Sequence, residues 1–205
     1  MDLSLPALDE LKHRAKRQLR QRMRALRGAI PPGGLRERSA SIAERLLSLP
    51  EVARAGSIAL FWPMEDRGEV DLRSVDERCR VRGVKIYYPS ATARQGQKGT
   101  FRLSMAATDM AEAGAGFSEP PANAPEPEPG ELGVVVVPAL AVSELGHRVG
   151  YGAGFYDALL PSYCPPALSV VVAHDFELLA ELPTHAWDVP CDVVVTDARV
   201  RRLAG

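Results

Sequence analysis

The chain has few cysteines and no long apolar run, and both absences narrow the classes of protein to which it can belong. Its three cysteines, Cys79, Cys164 and Cys191, are far apart and form no C-x-x-C pair. That usage predicts buried or incidental thiols of a reducing compartment. No apolar run approaches membrane-spanning length, and the N-terminus carries acidic residues in place of a signal peptide's apolar segment. We therefore expect a cytoplasmic protein that makes no use of a membrane.

The chain also lacks an excess of positive or of negative side chains. The 205 residues include 25 basic and 26 acidic side chains, for a formal net charge of −1. Such a chain has no overall field to attract nucleic acid or a membrane surface, so any affinity for anions must be local. Its hydrophobic fraction of 46% is ordinary for a soluble protein. We predict one domain spanning 1–205, large enough to form a core without disulfides or structural metal.

A glycine-rich stretch at 146–157 is the most informative segment, although the Walker sequence Gly-Lys-Ser/Thr and the G-x-G-x-x-G fingerprint are both absent. Gly150, Gly152 and Gly154 alternate, so the backbone can adopt positive φ and bring its N–H groups close to a ligand. Successive N–H groups around a concavity bind anions, and a helix beginning at Phe155 would add its positive end. The pattern predicts a polyphosphate site; a tight turn between strand and helix is an equally good interpretation.

Two charged side chains in the same stretch have chemistry that suits a polyphosphate. Arg148 offers a guanidinium fork that matches phosphate oxygens. Asp157 offers a hard carboxylate oxygen of the kind that Mg²⁺ binds.

Short apolar runs alternate with helical stretches from residue 57 onward. Near-continuous apolar strands of this kind predict a mainly parallel sheet with helices on both faces, a three-layer α/β fold. Ligands of such sheets bind beyond the carboxyl ends of the strands. We expect an edge strand at 100–103 and otherwise an extended surface loop over 91–132, which is rich in proline near its end. The predicted strands are 57–62, 84–88, 133–137, 168–173 and 192–196, and the predicted helices are 8–29, 35–49, 70–82 and 175–182.

The first helix is amphipathic and strongly basic. We expect its apolar residues to face the core, because they recur at spacings of three and four. The basic face predicts either a solvated surface or a stripe that binds nucleic acid. Lys16 and Arg20 lie one turn apart and could together clamp a phosphate. The apolar positions are Leu8, Leu11, Ala15, Leu19, Met23 and Leu26.

Four carboxylates follow the first predicted strand, at Glu65, Asp66, Glu69 and Asp71. They form either a solvated acidic loop or a site in which one carboxylate binds the N–H groups of a substrate, with Trp62 and Met64 providing apolar contact. The four histidines are isolated and indicate neither a hydrolase triad nor a metal cluster. Asp188 and Asp192 are interpreted as turn residues before the last strand.

Taken together, these segments resemble the 5-formyltetrahydrofolate cyclo-ligase family over nearly the whole chain. The glycine stretch that ends in Phe155-Tyr156-Asp157 is the most specific of them. The segments that carry the resemblance are Lys16-x-x-Leu19-Arg20, 62–71, 116–120, 137–141, 146–157 and 182–197.

The resemblance implies an ATP- and Mg²⁺-dependent ring closure that converts 5-formyltetrahydrofolate to 5,10-methenyltetrahydrofolate. It implies that the formyl oxygen attacks the γ-phosphate to give an imine phosphate, which N10 then attacks. The implied ligands are ATP, Mg²⁺ and a reduced folate. We expect the protein to be a monomer that binds no nucleic acid. The implied nucleotide site comprises Lys16, Arg20, Arg148, Gly150, Tyr151, Gly152, Ala153, Gly154, Phe155, Tyr156 and Asp157.

Within that set the resemblance implies more specific roles for several residues. Arg148 and Tyr156 would be catalytic, and Asp157 would hold the metal. The folate would lie against Trp62, Met64 and Glu69.

The chain departs from the family pattern at a few positions. Val142-Ser143 replaces Phe-Asp, Ala153 replaces glycine or lysine, Phe155 replaces tyrosine, and Glu177 stands where glutamine is common. Two alternatives therefore stay open: a family member that binds nucleotide or folate without this turnover, and a nucleic-acid binder that uses the basic helix. Near-neutral net charge and the absence of a base-reading motif count against the second.

Overall fold

The computed structural model describes residues 5–91, 99–112 and 116–203. The first four and last two residues of the predicted domain, and 92–98 and 113–115 of the predicted surface loop, lie outside this range. The helices are α1 (Leu5–Gly28), α2 (Pro32–Leu47), α3 (Pro50–Arg54), α4 (Arg73–Val81) and α5 (Phe155–Leu159). The first six strands are β1 (Ser57–Ala59), β2 (Lys85–Ser90), β3 (Thr100–Ser104), β4 (Ala111–Glu112), β5 (Ser118–Glu119) and β6 (Val134–Pro138). The other six are β7 (Ala141–Ser143), β8 (Arg148–Val149), β9 (Leu168–Val172), β10 (Leu178–Leu179), β11 (Val193–Val195) and β12 (Val200–Arg202).

The main sheet has seven strands in the order β12-β11-β9-β6-β1-β2-β3. The five central strands are parallel, while β3 and β12 pair antiparallel at the two edges. The predicted mainly parallel sheet is therefore confirmed. The apolar runs specify these strands because side chains of a central parallel strand are buried on both faces.

Alternate residues of the central strands enter two separate apolar cores. Val134 and Val136 lie in the first core with residues of α2, α3 and α4, and Val135 and Val137 lie in the second with Leu159 of α5. This alternation follows from the two-residue period of a strand. Within the described residues, no helix is long and apolar enough to cross a membrane.

A second sheet of three strands, in the order β10-β7-β8, supports the glycine stretch. Strands β7 and β8 form an antiparallel hairpin, and β10 pairs parallel with β7. Helix α1 packs on this small sheet, where Met23 contacts a cluster that contains Leu140 and Val149. The chain enters the glycine stretch directly from β8, so the small sheet holds α1 and the glycine stretch side by side.

Several sequence predictions need correction. The predicted helix over 175–182 is a 3-10 turn, Asp175–Glu177, followed by β10. The predicted helix over 70–82 begins only at Arg73. The described part of the predicted 91–132 loop contains β3, which is the expected edge strand, and also the two-stranded sheet β4-β5.

The apolar face predicted for α1 is confirmed only in part: Met23 is buried and Leu19 packs against its cluster, as expected. Leu8, Leu11 and Leu26 are among the exposed large hydrophobic residues of the molecule. Lys16 and Arg27, which the periodicity places on the outer face, are buried. The helix turns this face inward because it packs against a polar cleft and the small sheet rather than against the main apolar core.

Paired alanine substitutions on α1 test this orientation. The side chain of Met23 is 1% exposed and that of Leu11 is 47% exposed. We predict that Met23→Ala lowers the free energy of unfolding by about 2–5 kcal/mol, because it leaves a cavity beside the small sheet. Leu11→Ala should change it by less than about 0.5 kcal/mol. Urea denaturation of both variants measures the difference, and a larger loss from Leu11→Ala would contradict the observed orientation.

Candidate active site

A cleft of ≈ 1110 Å³ lies at the carboxyl ends of the central parallel strands. Trp62 follows β1, Pro89 lies at the end of β2, and Pro138 ends β6, and all three line the cleft. Strand β1 connects along the chain to β2 on one side and pairs with β6 on the other. The cleft therefore occupies the place where the strand order reverses, which is the usual ligand site of an open parallel sheet.

All of the site residues predicted from the sequence line this one cleft. Helix α1 contributes one group, the segment after β1 a second group, and β8 with the glycine stretch a third. The residues are Lys16, Arg20, Trp62, Met64, Glu69, Arg148, Gly150, Tyr151, Gly152, Ala153, Gly154, Phe155, Tyr156 and Asp157.

The glycine stretch offers a row of unused backbone donors. The N–H groups of the five residues from Gly150 to Gly154 donate no hydrogen bond to any residue that the structure describes. Gly152 has φ of 115° and Gly154 has φ of 64°, a region that side chains disfavour. A Cβ added at Gly152 would lie 3.5 Å from Arg20 Cζ. Glycine is thus required where the loop turns beneath α1, and the resulting open N–H groups are suited to an anion.

Two cations of α1 line the same cleft as these N–H groups. The Nζ of Lys16 lies 2.5 Å from Asp188 Oδ2. The Nε of Arg20 donates to the carbonyl of Gly150 at 2.8 Å. Partial burial and the nearby charge of Arg24 lower the pKa of Arg20, and the charge of Asp188 opposes this. A bound anion beside Arg20 would likewise favour its charged form.

Arg148 and Asp157 bind each other in the structure. Arg148 Nη2 donates to Asp157 Oδ1 at 2.9 Å, and Arg148 Nη1 donates to the carbonyl of Val189 at 2.5 Å. The N–H of Val189 lies 3.3 Å from the same Asp157 oxygen. The guanidinium of Arg148 is therefore fixed by the protein at the wall of the cleft.

Glu69 is the buried member of the acidic cluster. Glu65 and Asp66 are exposed, and Asp71 pairs with Arg73, whereas Glu69 is only 7% exposed. Its Oε2 accepts the N–H of Met64 at 2.9 Å. Its Oε1 is buried and makes no hydrogen bond of normal geometry with the described residues. Burial raises the pKa of this carboxyl, against the opposing effects of the Met64 N–H and the Tyr151 hydroxyl.

Aromatic side chains form the apolar wall of the cleft near Glu69. Phe155 contacts Phe117 and Tyr156 edge to face, with ring centroids 6.0 Å and 5.4 Å apart. Trp62 contacts Tyr88 in the same way, at 5.8 Å. Such a wall suits a flat organic ligand whose polar edge reaches Glu69. Burial and the nearby Glu69 raise the pKa of Tyr156, so its phenol stays protonated at neutral pH.

The turn that carries Glu69 is held from behind by His174. Its ring Nε2 lies 3.3 Å from the carbonyl of Gly68. Because a carbonyl only accepts, Nε2 must carry the proton. His174 is fully buried, and burial together with the charge of Arg27 lowers its pKa to about 4. The ring is therefore neutral when the protein is folded at neutral pH.

Several residues of the cleft escape the sequence prediction. Asp188, interpreted from the sequence as a turn residue, does accept the N–H of His185, but it also pairs with Lys16. His13 and His185 are far apart in the chain, yet their rings are 4.5 Å apart. Trp187 stacks on His185 at 4.5 Å. The segment 182–197 carries part of the family resemblance, but only the fold shows that this turn lies against α1.

Ser143, one of the departures from the family pattern, does not line the cleft. It lies in β7, where it is buried, and its hydroxyl accepts the N–H of Leu145 within the hairpin. In this chain the position therefore serves the hairpin turn.

Comparisons with known proteins agree with this architecture. A model of the 5-formyltetrahydrofolate cyclo-ligase family matches residues 12–197. The chain is 29% identical over 184 residues to the 5-formyltetrahydrofolate cyclo-ligase of Escherichia coli strain K12, a match that covers 89% of this chain and 98% of that protein.

Solved structures give the same result. The 5,10-methenyltetrahydrofolate synthetase of Aquifex aeolicus superposes with a TM-score of 0.79 at 29% identity, covering 93% of each chain. The synthetase of Mycoplasma pneumoniae has a TM-score of 0.70 at 20% identity, covering 89% of this chain and 98% of that one, which shows a shared fold. The family resemblance predicted from the sequence is thus confirmed.

The low pKa of His174 predicts a pH-dependent stability. In the unfolded chain a histidine takes up a proton near pH 6.5, whereas folded His174 does so only at about 4. Between these values the unfolded state binds more protons, so the free energy of unfolding falls as the pH falls. We expect His174 to account for up to about 3 kcal/mol of this fall.

Urea denaturation of the wild type and of His174→Gln between pH 7 and pH 4 measures this contribution. The variant should show the shallower dependence on pH. Parallel curves would contradict a neutral, buried His174.

Proposed function

Because the chain belongs to the 5-formyltetrahydrofolate cyclo-ligase family, we propose that it converts 5-formyltetrahydrofolate to 5,10-methenyltetrahydrofolate, with ATP converted to ADP and phosphate in the presence of Mg²⁺. One observation carries the proposal. The row of unused N–H groups from Gly150 to Gly154 lies in the same cleft as the buried, incompletely bonded carboxylate of Glu69. The cleft thus offers an anion site and a site for an N–H donor together.

The ATP phosphates would bind between α1 and the glycine stretch. The N–H groups would cradle the phosphate oxygens, and Lys16 and Arg20 of α1, which line the same cleft, would add positive charge. Both cations already face oxygen atoms there, so a phosphate could share or take over these contacts. Arg148 lies at the wall of the same cleft, where its charge would stabilise negative charge that develops during phosphoryl transfer.

Mg²⁺ fits the carboxylates of this region. Within the described part of the chain, the hydrogen bonds to Asp157 end on Oδ1 and those to Asp188 end on Oδ2. One oxygen of each is therefore left for a cation, and Mg²⁺ is commonly held by one or two carboxylates together with substrate phosphates. When bound, Mg²⁺ would neutralise phosphate charge and orient the γ-phosphate.

The folate would bind along the aromatic wall. Its pterin ring carries N–H donors at its edge, and Glu69 Oε1 is a buried acceptor that lacks a donor of normal geometry. Trp62 and Met64 line the adjoining surface. All of the groups named in this proposal belong to one chain.

The reaction needs positioning and charge stabilisation more than a protein nucleophile. The formyl oxygen would form a bond to the γ-phosphorus as the bond to ADP breaks. N10 would then attack the activated carbon and lose its proton, while the carbon–oxygen bond breaks and phosphate leaves. Tyr156, which stays protonated, could donate a hydrogen bond to charge that develops on an oxygen in the cleft.

An omission assay tests the proposed function. Purified protein is mixed with 5-formyltetrahydrofolate, ATP and Mg²⁺, and methenyltetrahydrofolate is followed by its absorbance. We expect product only when all three are present. Folded protein that binds ATP or folate without forming product would overturn the proposed turnover and favour a binding protein of this fold.

Lys16 gives the sharpest test of the nucleotide site. We predict that Lys16→Ala raises the KM for ATP about 10- to 100-fold, since it removes a charge-assisted hydrogen bond worth about 1.5–3 kcal/mol. Arg22→Ala is the matched control, because Arg22 is an exposed cation of the same helix outside the cleft. Equal KM values for ATP in the two variants would contradict the assignment of Lys16 to the phosphate site.

Glu69 gives the corresponding test of the folate site. We predict that Glu69→Gln raises the KM for 5-formyltetrahydrofolate about 10-fold or more and leaves the KM for ATP nearly unchanged, because a charged acceptor of N–H groups is lost. Glu65→Gln, an exposed carboxylate on the same turn, is the control. Steady-state kinetics with each substrate varied in turn measures both constants. A selective effect on ATP would contradict the assignment.

A further inference from the structure

Arg27 and Glu177 form a buried ion pair behind the cleft. Arg27 is 3% exposed and Glu177 is fully buried. Arg27 Nε donates to Glu177 Oε1 at 2.6 Å, and Arg27 Nη2 lies 3.1 Å from Oε2. The N–H of His174 donates to Oε2 at 2.9 Å. Burying two charges costs free energy that their attraction often fails to recover, so a pair of this kind raises the question of what else it does.

The remaining donors of Arg27 reach three segments that meet at the cleft. Nη2 donates to the carbonyl of Ala139, just beyond β6, at 2.5 Å. Nη1 lies 3.3 Å from the hydroxyl of Tyr151 in the glycine stretch. The same nitrogen lies 3.5 Å from the carbonyl of Arg67, two residues before Glu69. The guanidinium of Arg27 therefore contacts the segment that follows a central strand, the glycine stretch and the turn that carries Glu69.

Glu177 reaches the same turn by a second route. It binds the N–H of His174, whose ring contacts the carbonyl of Gly68. The carbonyls of residues 67 and 68, immediately before Glu69, are thus both held by groups that Glu177 fixes. Neither Arg27 nor Glu177 lines the cleft.

We propose that Arg27 and Glu177 are positioning residues that fix the distance between the Glu69 turn and the glycine stretch. The proposal rests on the proposed function, since it concerns the spacing of a folate-binding carboxylate and a phosphate-binding loop. It also gives a reason for the carboxylate at position 177: it balances the charge of Arg27 while Arg27 bridges the two halves of the site.

The pair also acts on Glu69 through its charge. Burial raises the pKa of Glu69, and the positive charges of Arg27 and Arg67 oppose this, as do the Met64 N–H and the Tyr151 hydroxyl. Tyr156 also faces Glu69. Removing the charge of Arg27 should therefore raise the pKa of Glu69 further. Removing the charge of Glu177 leaves Arg27 unbalanced and should lower it, so the two halves of the pair have opposite effects.

Three substitutions separate positioning from simple loss of stability. Arg27→Met and Glu177→Gln each remove one charge of the pair. Arg80→Met is the matched control, because Arg80 likewise binds a buried carboxylate, Asp76, and a backbone carbonyl, but lies outside the cleft. For each variant shown to be folded at the assay temperature, KM is measured for both substrates, and kcat/KM for the folate is measured against pH.

We expect both pair variants to raise the KM for the folate about tenfold or more, with a smaller effect on ATP, because a misplaced binding group loses its contacts. The acidic limb of the plot of kcat/KM for the folate against pH should move to higher pH in Arg27→Met and to lower pH in Glu177→Gln. Arg80→Met should lower Tm and leave unchanged the KM for each substrate and the pH dependence of kcat/KM for the folate. The proposal would be overturned if the pair variants changed both KM values equally, or if their acidic limbs moved in the same direction.

Arg27→Lys keeps the experiment decisive if Arg27→Met does not fold. Lysine retains the positive charge but lacks the several N–H donors of a guanidinium. Arg27→Lys should therefore raise the KM for the folate and leave the acidic limb of kcat/KM against pH near its wild-type position. An unchanged KM would overturn the positioning role.

Hydrogen exchange tests the pair without any substrate. The backbone amides of Met64, Arg67 and Gly68 are hydrogen-bonded within the Glu69 turn. We expect them to exchange faster in Glu177→Gln than in the wild type, and not in Arg80→Met. Unchanged exchange in Glu177→Gln would overturn the proposal even if the wild type proved inactive toward folate, so failure of the two proposals can be told apart.

Discussion

Three cations of α1 point into the protein, and the site depends on the oxygen atoms that hold them there. Lys16 pairs with Asp188, Arg20 with the carbonyl of Gly150, and Arg27 with Glu177. Burying these charges would be unfavourable without such partners. The contacts join α1 to the last turn before β11, to the glycine stretch and to the segment after β9. A single helix thus holds three distant segments of the chain around one cleft.

The three cations contribute differently because their surroundings differ. Arg27 is enclosed on all sides and has both oxygens of a carboxylate, so it is suited to fix structure. Lys16 and Arg20 lie at the cleft, each beside one oxygen and near the open N–H groups of the glycine stretch. Their position suits a ligand that brings negative charge. The same helix therefore combines a buried ion pair at one end with the two cations of the proposed phosphate site near its middle.

Much of the main sheet could be predicted from the sequence, because valine-rich runs such as Val134–Pro138 carry their own signal. The glycine stretch was also recognisable, since Gly152 and Gly154 adopt the positive φ that the alternating glycines suggested. The resemblance to a known family linked it to Glu69 and Lys16. Those residues do line one cleft, while their roles remain proposals.

The small sheet and the full buried face of α1 could not be predicted, for physical reasons. Strands of two residues, such as β8 and β10, are too short to show a periodic pattern. Leu19 and Met23 do face inward, but Leu8, Leu11 and Leu26 are exposed, because a periodicity argument assumes an apolar partner along the whole helix. The actual partner includes a polar cleft. Asp188 and His185 likewise gain their place only through the packing of α1 against a distant turn.

The fate of the formyl oxygen tests the central claim most directly, namely that the cleft holds this oxygen against the γ-phosphate. 5-Formyltetrahydrofolate labelled with ¹⁸O in the formyl group is incubated with the protein, ATP and Mg²⁺, and the released phosphate is analysed by mass spectrometry. We predict one ¹⁸O atom in the phosphate for each methenyltetrahydrofolate formed. Product accompanied by unlabelled phosphate would contradict direct attack on ATP and, with it, the proposed arrangement of folate and nucleotide in the cleft.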